Sequence, residues 1–194
     1  MPLIQEIIIT TQNKDGSTQI APMGVHILNK HYLIKPFKPS KTHENLLNEG
    51  CAVINYTDDV RVYAGCLTEH YSWGLCSAEI VECQRLKECL AHSELQVVNC
   101  DDDEVRPTFE CKILHEQVHK PFKGFNRAQA AVIELAILVS RLGMISDDKI
   151  KTEINYLKIA IDKTAGEREK EAWGWLSEKI EDHFKNNATS CGKK

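Results

Sequence analysis

The chain has 194 residues, of which 42% are hydrophobic and 27% charged, with 10 Gly and 6 Pro. This composition excludes collagen, low-complexity disorder and a disulfide-dependent miniprotein, and a chain of this length can bury a substantial core. The 24 Lys and Arg residues are balanced by 28 Asp and Glu, a formal net charge of −4 that disfavours a dedicated nucleic-acid-binding protein.

The chain up to residue 122 is predicted to be rich in β-strands and to contain one short helix. β-Branched residues, turn residues and short apolar runs predict strands at 4–11, 17–20, 25–28, 32–34, 51–56, 78–83, 95–100 and 108–114. Turns are expected at 13–16, at 29–31, and at an acidic hairpin tip over 101–104. We place a break between two strands at 21–24. Pro39 and Ser40 open a predicted helix over 41–48, and Gly50 is its expected stop.

The last third of the chain has the spacing of amphipathic helices. From Arg127 onward apolar residues recur every three to four positions, and Asn126 is the expected N-cap. Ser146 is predicted to open a second helix, and Thr164 with Glu167 matches a capping box for a third. The predicted fold is therefore α+β: an antiparallel β-barrel-like domain over 1–122, a three-helix domain over 123–185, and a disordered tail over 186–194.

Several classes of function lack their usual sequence signature. No apolar run approaches the ~20 residues of a membrane span, and the chain opens without an export signal, so we expect a cytoplasmic protein without a membrane partner. The eight Cys residues have no pair at the two-residue gap of zinc motifs, which favours reduced thiols. His115 and His119 stand four residues apart and could share a metal, but exposed polar residues are the favoured interpretation, and we predict no metal.

The most informative stretch for chemistry lies between residues 21 and 57. Pro and Gly at 21–25 expose backbone amides that can hydrogen-bond a planar heteroaromatic edge. Ser40, Lys41 and Thr42 then converge with Lys35 and Lys38 at a predicted helix N-terminus, where free N–H groups and the helix dipole favour a phosphate. The alternative is that Ser40 only caps the helix while the lysines are solvated, and chemistry alone favours it.

These segments resemble a known superfamily over residues 1–184. The matching segments are Ala21–Val25 (APMGV), Lys35–Phe37 with Ser40–Leu46 (KPF, SKTHENL), Cys51–Asn55 (CAVIN), Gly124–Arg127 (GFNR) and Lys163–Gly166 (KTAG). Together they resemble the FMN-binding split β-barrel superfamily of flavin reductases, in an uncharacterised branch whose barrel is followed by a helical domain of unknown function.

The resemblance implies a homodimer that binds FMN at its subunit interface and takes electrons from NAD(P)H. The implied cofactor-binding residues are Ala21, Pro22, Met23, Gly24, Val25, Lys35, Pro36 and Phe37 for the ring, Ser40, Lys41 and Thr42 for the phosphate, and Asn55, Asn126 and Arg127 as further contacts. Arg61 and Tyr63 are weaker candidates. No side chain is expected to act as a catalytic acid or base, because the cofactor carries the redox chemistry.

Two alternatives to an FMN-dependent oxidoreductase remain open from the sequence. One is a non-catalytic carrier or sensor that binds FMN or another phosphorylated ligand. The other is an interaction protein in which the helical domain docks a partner and the barrel is only a scaffold.

Overall fold

The computed structural model describes residues 3–28 and 31–191, with side chains described through residue 187. The predicted turn residues 29 and 30 and the tail residues 192–194 lie outside the described residues. The elements in chain order are β1 (Leu3–Gln12), β2 (Thr18–Leu28), β3 (His31–Ile34), α1 (Lys41–Glu49), β4 (Cys51–Tyr56), α2 (Arg61–Thr68), β5 (Leu75–Ser77), β6 (Gln84–Leu86), β7 (Ala91–Asp101), β8 (Thr108–Val118), α3 (Arg127–Ser140), α4 (Asp147–Thr164) and α5 (Glu167–Cys191). They form two compact units.

The first unit is a closed antiparallel barrel with the strand order β1-β2-β3-β8-β7-β4, beside a separate β5–β6 hairpin. Every neighbouring pair in the barrel is antiparallel. Its interior is filled by alternating apolar side chains of the strands, because successive residues of a strand point to opposite faces. The largest of these fully buried side chains are Ile7, Ile9, Ile34, Ile54, Leu95 and Phe109. The predicted antiparallel barrel followed by helices is confirmed.

β2 is continuous, and the predicted break at 21–24 is wrong. Its residues pair with β1 from Thr18 opposite Gln12 to Ile27 opposite Leu3. β3 is short and pairs only with the stretch from Val25 to Leu28. Pro22 is accommodated because a residue without an N–H group is tolerated where a strand has an edge with no partner.

α1 matches the sequence prediction to within one residue at its C-terminus. The Ser40 hydroxyl oxygen accepts a hydrogen bond from the His43 N–H at 3.3 Å, and Gly50 ends the helix in the left-handed conformation with φ of 65°. The buried Asn45 side chain donates to the Thr11 hydroxyl at 3.0 Å, and its amide also donates to the Asn13 side-chain oxygen at 2.8 Å. These bonds fix the helix against the end of β1, so the position of its N-terminus is defined.

The second unit consists of residues 59–72 and the chain from 123 onward, so it contains α2 as well as α3–α5. The prediction of a three-helix domain left α2 in the barrel domain. The structure places it elsewhere because Val60 and Ala64 are buried in the core of the helical unit. The other fully buried side chains of that core come from α3, α4 and α5, namely Ala128, Val132, Leu135, Ile150, Ala172, Leu176 and Ile180.

The helix ends of this unit agree only in part with their predicted caps. Asn126 caps α3 as expected, since its side-chain oxygen accepts from the Ala128 N–H at 2.7 Å. The predicted capping box at Thr164 is absent, because Thr164 is the last residue of α4 and the Gly166 N–H instead donates to the Glu169 carboxylate at 3.0 Å. α5 continues through Cys191, where we expected a disordered tail from residue 186. Among the described residues no helix is both long and apolar enough to span a bilayer.

Candidate functional site

The segment from Lys35 to Ser40 leaves the barrel after β3 and leads into α1. The neighbouring β7–β8 connection holds it in place. The backbone N–H of Lys38 donates to the Val105 carbonyl at 2.9 Å, and the Arg106 Nε donates to the Lys35 carbonyl at 3.0 Å. The acidic hairpin tip predicted from the sequence is therefore one wall of the site.

Three basic side chains meet beside this segment. Burial lowers the pKa of His26, and the positive charges of Lys35 and Arg106 lower it further, so both cations act at the imidazole. The Arg106 guanidinium lies 4.7 Å from the centre of the Phe37 ring. We refer to His26, Lys35 and Arg106 as the basic cluster. The positive charges of Lys35 and Arg106 beside the segment from Lys35 to Ser40 would favour a bound anion.

Lys38 and Lys41, the two other lysines near this segment, each form an ion pair that offsets part of their positive charge. The Lys38 ammonium pairs with Asp102, and the Lys41 ammonium lies 3.2 Å from the Glu44 carboxylate. Both are exposed ion pairs on flexible side chains, which contribute little to stability and can exchange partners. The lysine that carries the positive field is therefore Lys35, one of the three that the sequence singled out.

The start of α1 adds hydrogen-bond donors to this field. The Ser40 hydroxyl engages the His43 N–H, and the Ser40 carbonyl engages the Glu44 N–H at 3.1 Å. The N–H groups of Lys41 and Thr42 remain for another acceptor, as at any helix start. The Nε2 atom of His43 is buried and has no hydrogen-bond partner among the described residues. An anion with several oxygens fits donors arranged in this way.

The open edge of β2 lies next to this donor set. Ile34 pairs with Val25, so Lys35 follows β3 beside the point where β2 loses its second partner. Among the described residues no strand pairs with this edge from Thr18 to Gly24, which leaves the edge open to a ligand along Ala21–Gly24. The bare backbone predicted at Ala21–Gly24 thus exists, but it arises from the shortness of β3 and not from a break in β2.

The side chains of this β2 segment alternate between the core and the outer face. Ala21, Met23 and Val25 pack in the barrel core. A Cβ atom added at Gly24 would meet the Ile4 side chain at 3.2 Å, so a larger residue there would press against β1. The Ile4 and Glu6 side chains border the outer face at Gly24, so glycine is the residue that fits between them.

Asn55 lies outside this arrangement. It is fully buried, its amide nitrogen donates to the Thr10 hydroxyl at 3.1 Å, and its oxygen accepts from the Leu86 N–H at 2.7 Å. Its hydrogen-bonding capacity serves to join β4 to β1 and β6. We therefore assign it a structural role and do not retain it among the ligand-binding residues.

The remaining predicted residues belong to the helical unit. The Asn126 side chain caps α3 and also donates to the Thr164 carbonyl at 3.1 Å, while Arg127 is exposed. Arg61 pairs with Asp59 at 2.6 Å, which occupies the guanidinium within its own unit.

Two residues of the basic cluster were missed from the sequence. His26 stands two residues before the end of β2, and Arg106 lies 71 positions beyond Lys35. The pairing of β3 with β8 through Ile34 opposite Phe109 is what brings Arg106 to the site. The only local sign of Arg106 in the sequence was a single arginine that follows the acidic hairpin tip after one residue.

A closed six-stranded antiparallel barrel followed by helices is the flavin reductase-like split-barrel fold with a helical C-terminal part. The family profiles described as "Protein of unknown function (DUF447) N-terminal domain" and "Protein of unknown function (DUF447)" match residues 5–120 and 126–178. The chain belongs to the DUF447 family.

Three similar proteins extend this assignment. An uncharacterized protein of Methanocaldococcus jannaschii, MJ1453, is 25% identical over 179 residues, covering 86% of this chain and 92% of that protein. The crystal structure of the FMN-bound DUF447 protein MM1853 from Methanosarcina mazei superposes with a TM-score of 0.79 at 22% identity, over 92% of this chain and 96% of that one. The styrene monooxygenase flavin reductase of Pseudomonas putida gives a TM-score of 0.53 at 9% identity, over 61% and 82%. The two structures share the fold with this chain.

Proposed function

We propose that this protein binds FMN, with the phosphate at the start of α1 and the ring along the open edge of β2. The observation that carries the proposal is the FMN-bound DUF447 protein of Methanosarcina mazei, whose fold matches nearly the whole chain. The basic cluster and the α1 donors support it independently, because they are built from the residues of this chain.

The residues present fit the two ends of FMN. The Lys41 and Thr42 N–H groups, the Ser40 hydroxyl and the Arg106 guanidinium would hold the dianionic phosphate. The backbone of Ala21–Gly24 would hydrogen-bond the polar edge of the ring. The Phe37 side chain, which is 60% exposed, offers an apolar surface beside it.

We further propose that the protein is an oxidoreductase that uses NAD(P)H. Bound FMN would supply hydride and electron transfer, and the protein residues would bind it, orient it and exclude water. Lys35 is the cation that we place nearest the ring, where a positive charge favours the reduced, anionic cofactor. No side chain is assigned as an acid or base.

The active form is proposed to be a homodimer. The barrel unit exposes apolar side chains at its strand ends, and apolar side chains that are exposed together are typical of a protein–protein contact. They include Leu3, Ile4, Leu28, Leu114 and Val118. A second copy would cover them together with the part of the ring that one barrel leaves open.

The phosphate position is tested by replacing one N-cap with another. Ser40→Asp keeps an oxygen that caps α1, so the helix remains stable, but it places a negative charge where the phosphate would bind. We expect the purified wild-type protein to be yellow and Ser40→Asp to lose FMN affinity by at least tenfold, measured by quenching of flavin fluorescence.

Ser146→Asp is the matched control, because Ser146 is the N-cap of α4 in the helical unit. It should bind FMN like the wild type. Equal FMN affinity in Ser40→Asp and Ser146→Asp would refute the phosphate position, and a colourless wild type that FMN does not restore would refute the proposed function.

A further inference from the structure

A second cluster of ligand-type side chains lies on β7 and β8, away from the donors described above. His92 and Glu94 stand two residues apart on β7 and so share one face of the sheet, and His115 lies directly opposite Glu94 on β8. His92 is 1% exposed and Glu94 is 0% exposed. His115 is half-buried. Polar groups of this kind, two of them fully buried, need partners that offset their desolvation.

The geometry of the cluster matches the needs of a small metal ion. One ligand atom from each of the three side chains lies within 4.8 Å of the other two. The His92 Nε2 and the Glu94 Oε1 are 3.1 Å apart. Ligand atoms bound tetrahedrally to zinc at ~2.0–2.1 Å stand about 3.3 Å from one another, so only small side-chain movements are needed.

His115 supplies the observation that hydrogen bonding alone does not explain. Its Nε2 atom is buried and has no hydrogen-bond partner among the described residues. A buried imidazole nitrogen without a partner costs free energy unless something else binds it. A metal ion between His92, Glu94 and His115 would satisfy that atom.

The surroundings orient the other two ligands. His119 stacks on His92, and its Nε2 lies 2.9 Å from the His92 Nδ1, which leaves the His92 Nε2 directed at Glu94. The Glu94 carboxylate accepts three backbone N–H groups, from Glu79 and Ile80 at 2.7 Å and from Val81 at 2.9 Å. Hydrogen bonds of this kind fix the ligands of metal sites in other proteins.

We propose that His92, Glu94 and His115 bind a divalent transition metal ion of the zinc type. Two neutral imidazoles and one carboxylate are ligands that zinc accepts, and three protein ligands leave one position for water. Because Glu94 also holds the backbone at 79–81, the bound ion ties β7, β8 and that loop together. The site shares no residue with the proposed FMN site.

Cobalt is the probe, because Co²⁺ replaces Zn²⁺ in such sites and its visible absorption reports tetrahedral coordination. The full-length protein is freed of metal by chelation, titrated with Co²⁺, and then titrated with Zn²⁺. We expect one Co²⁺ per chain with a tetrahedral spectrum that Zn²⁺ abolishes. At about one hundred times its dissociation constant, Zn²⁺ should raise the melting temperature by roughly 5–10 °C.

The variants separate this site from adventitious binding to histidine. His115→Ala should lose the Co²⁺ spectrum and the thermal shift. His31→Ala is the matched control, since His31 pairs with Glu110 on neighbouring strands and no third ligand stands beside it among residues 3–28 and 31–187. Glu94→Gln keeps the size of the side chain and should weaken Zn²⁺ binding at least tenfold, and far-UV circular dichroism verifies that each metal-free variant is folded.

Two results would overturn the proposal. One is a wild-type protein that binds neither Co²⁺ nor Zn²⁺ in stoichiometric amount. The other is a folded His115→Ala that binds metal as the wild type does. Either outcome can be told apart from a failure of FMN binding, because the titration and the thermal shift are measured in both the flavin-free and the flavin-loaded protein.

Discussion

Arg106 offers the most direct test of the basic cluster. It is far from Lys35 in the sequence, but the fold brings its positive charge close to the proposed phosphate position. In Arg106→Gln the cation is removed. A charge pair at about 4 Å contributes ~1 kcal/mol in water, so a dianion and one guanidinium contribute about 1–2 kcal/mol after allowance for screening. We therefore expect FMN affinity to fall about tenfold.

The same substitution has a small effect on folding. Arg106 is exposed, and it loses one cation–π contact of ~0.5–1 kcal/mol with Phe37 and one hydrogen bond of ~0.5–1.5 kcal/mol to the Lys35 carbonyl. The variant should therefore remain folded, and urea unfolding without FMN measures that cost separately from the binding defect.

The assay is a fluorescence titration of FMN at low and high salt, with two control variants. Arg106→Lys keeps the charge and should lose less than about threefold in affinity, while Lys112→Gln removes an exposed lysine of β8 and should bind like the wild type. The defect of Arg106→Gln should shrink as salt is raised. An Arg106→Gln protein with wild-type affinity, or with a loss that Lys112→Gln shares, would show that the basic cluster does not face the phosphate.

Three further predictions concern pH, thiol chemistry and turnover. Burial and the charges of Lys35 and Arg106 hold the pKa of His26 below its usual value of about 6.5, so the unfolded chain binds the proton more readily. Wild-type stability in urea should therefore fall more than that of His26→Gln as the pH drops from about 7.5 to about 5.5, and equal losses would contradict the assignment. The buried sulfurs of Cys51 and Cys83 are 3.3 Å apart. The oxidant diamide, which takes up two electrons and two protons, should therefore link them in a disulfide. Peptide mapping should find that disulfide, and closing a loop of 32 residues should stabilise the fold by about 3–4 kcal/mol, an effect absent in Cys83→Ser. Finally, anaerobic NADH or NADPH should bleach the bound flavin at a catalytically useful rate if the protein is an oxidoreductase, whereas a flavin that stays oxidised would favour the carrier.

Local signals in the sequence were sufficient to predict α1 and the donors at its start. Ser40 and Gly50 bracket the helix because one side chain caps its first N–H groups and the other residue tolerates a positive φ. Both effects act within a few residues, so they can be read without the rest of the fold. The same holds for Asn126 at the start of α3.

The open edge of β2 and the approach of Arg106 could not be predicted in that way. Both depend on register: β3 ends at Ile34, opposite Val25 on one side and Phe109 on the other. Sequence patterns indicate which residues form strands, but the partner of each edge is decided by contacts between distant parts of the chain.

α2 was missed for a different reason. Its residues 62–65 are buried one after another, so the polar positions that reveal a helical period are absent. A short segment covered on most of its faces has the apolar pattern of a buried strand, and only its surroundings in the folded unit decide between the two.

Residues 59–72 belong to the helical unit, so one helix of that unit is synthesised well before the other three. α2 is synthesised before α3, α4 and α5, so Val60 and Ala64 emerge without the side chains that later cover them. At about 5–20 residues per second, translation from the end of α2 to the end of α5 takes roughly 6–25 s. During that interval the nascent chain exposes the apolar residues of α2, and we expect this segment to be a binding site for chaperones. For the same reason, a fragment that stops at Phe122 would retain that exposed helix permanently.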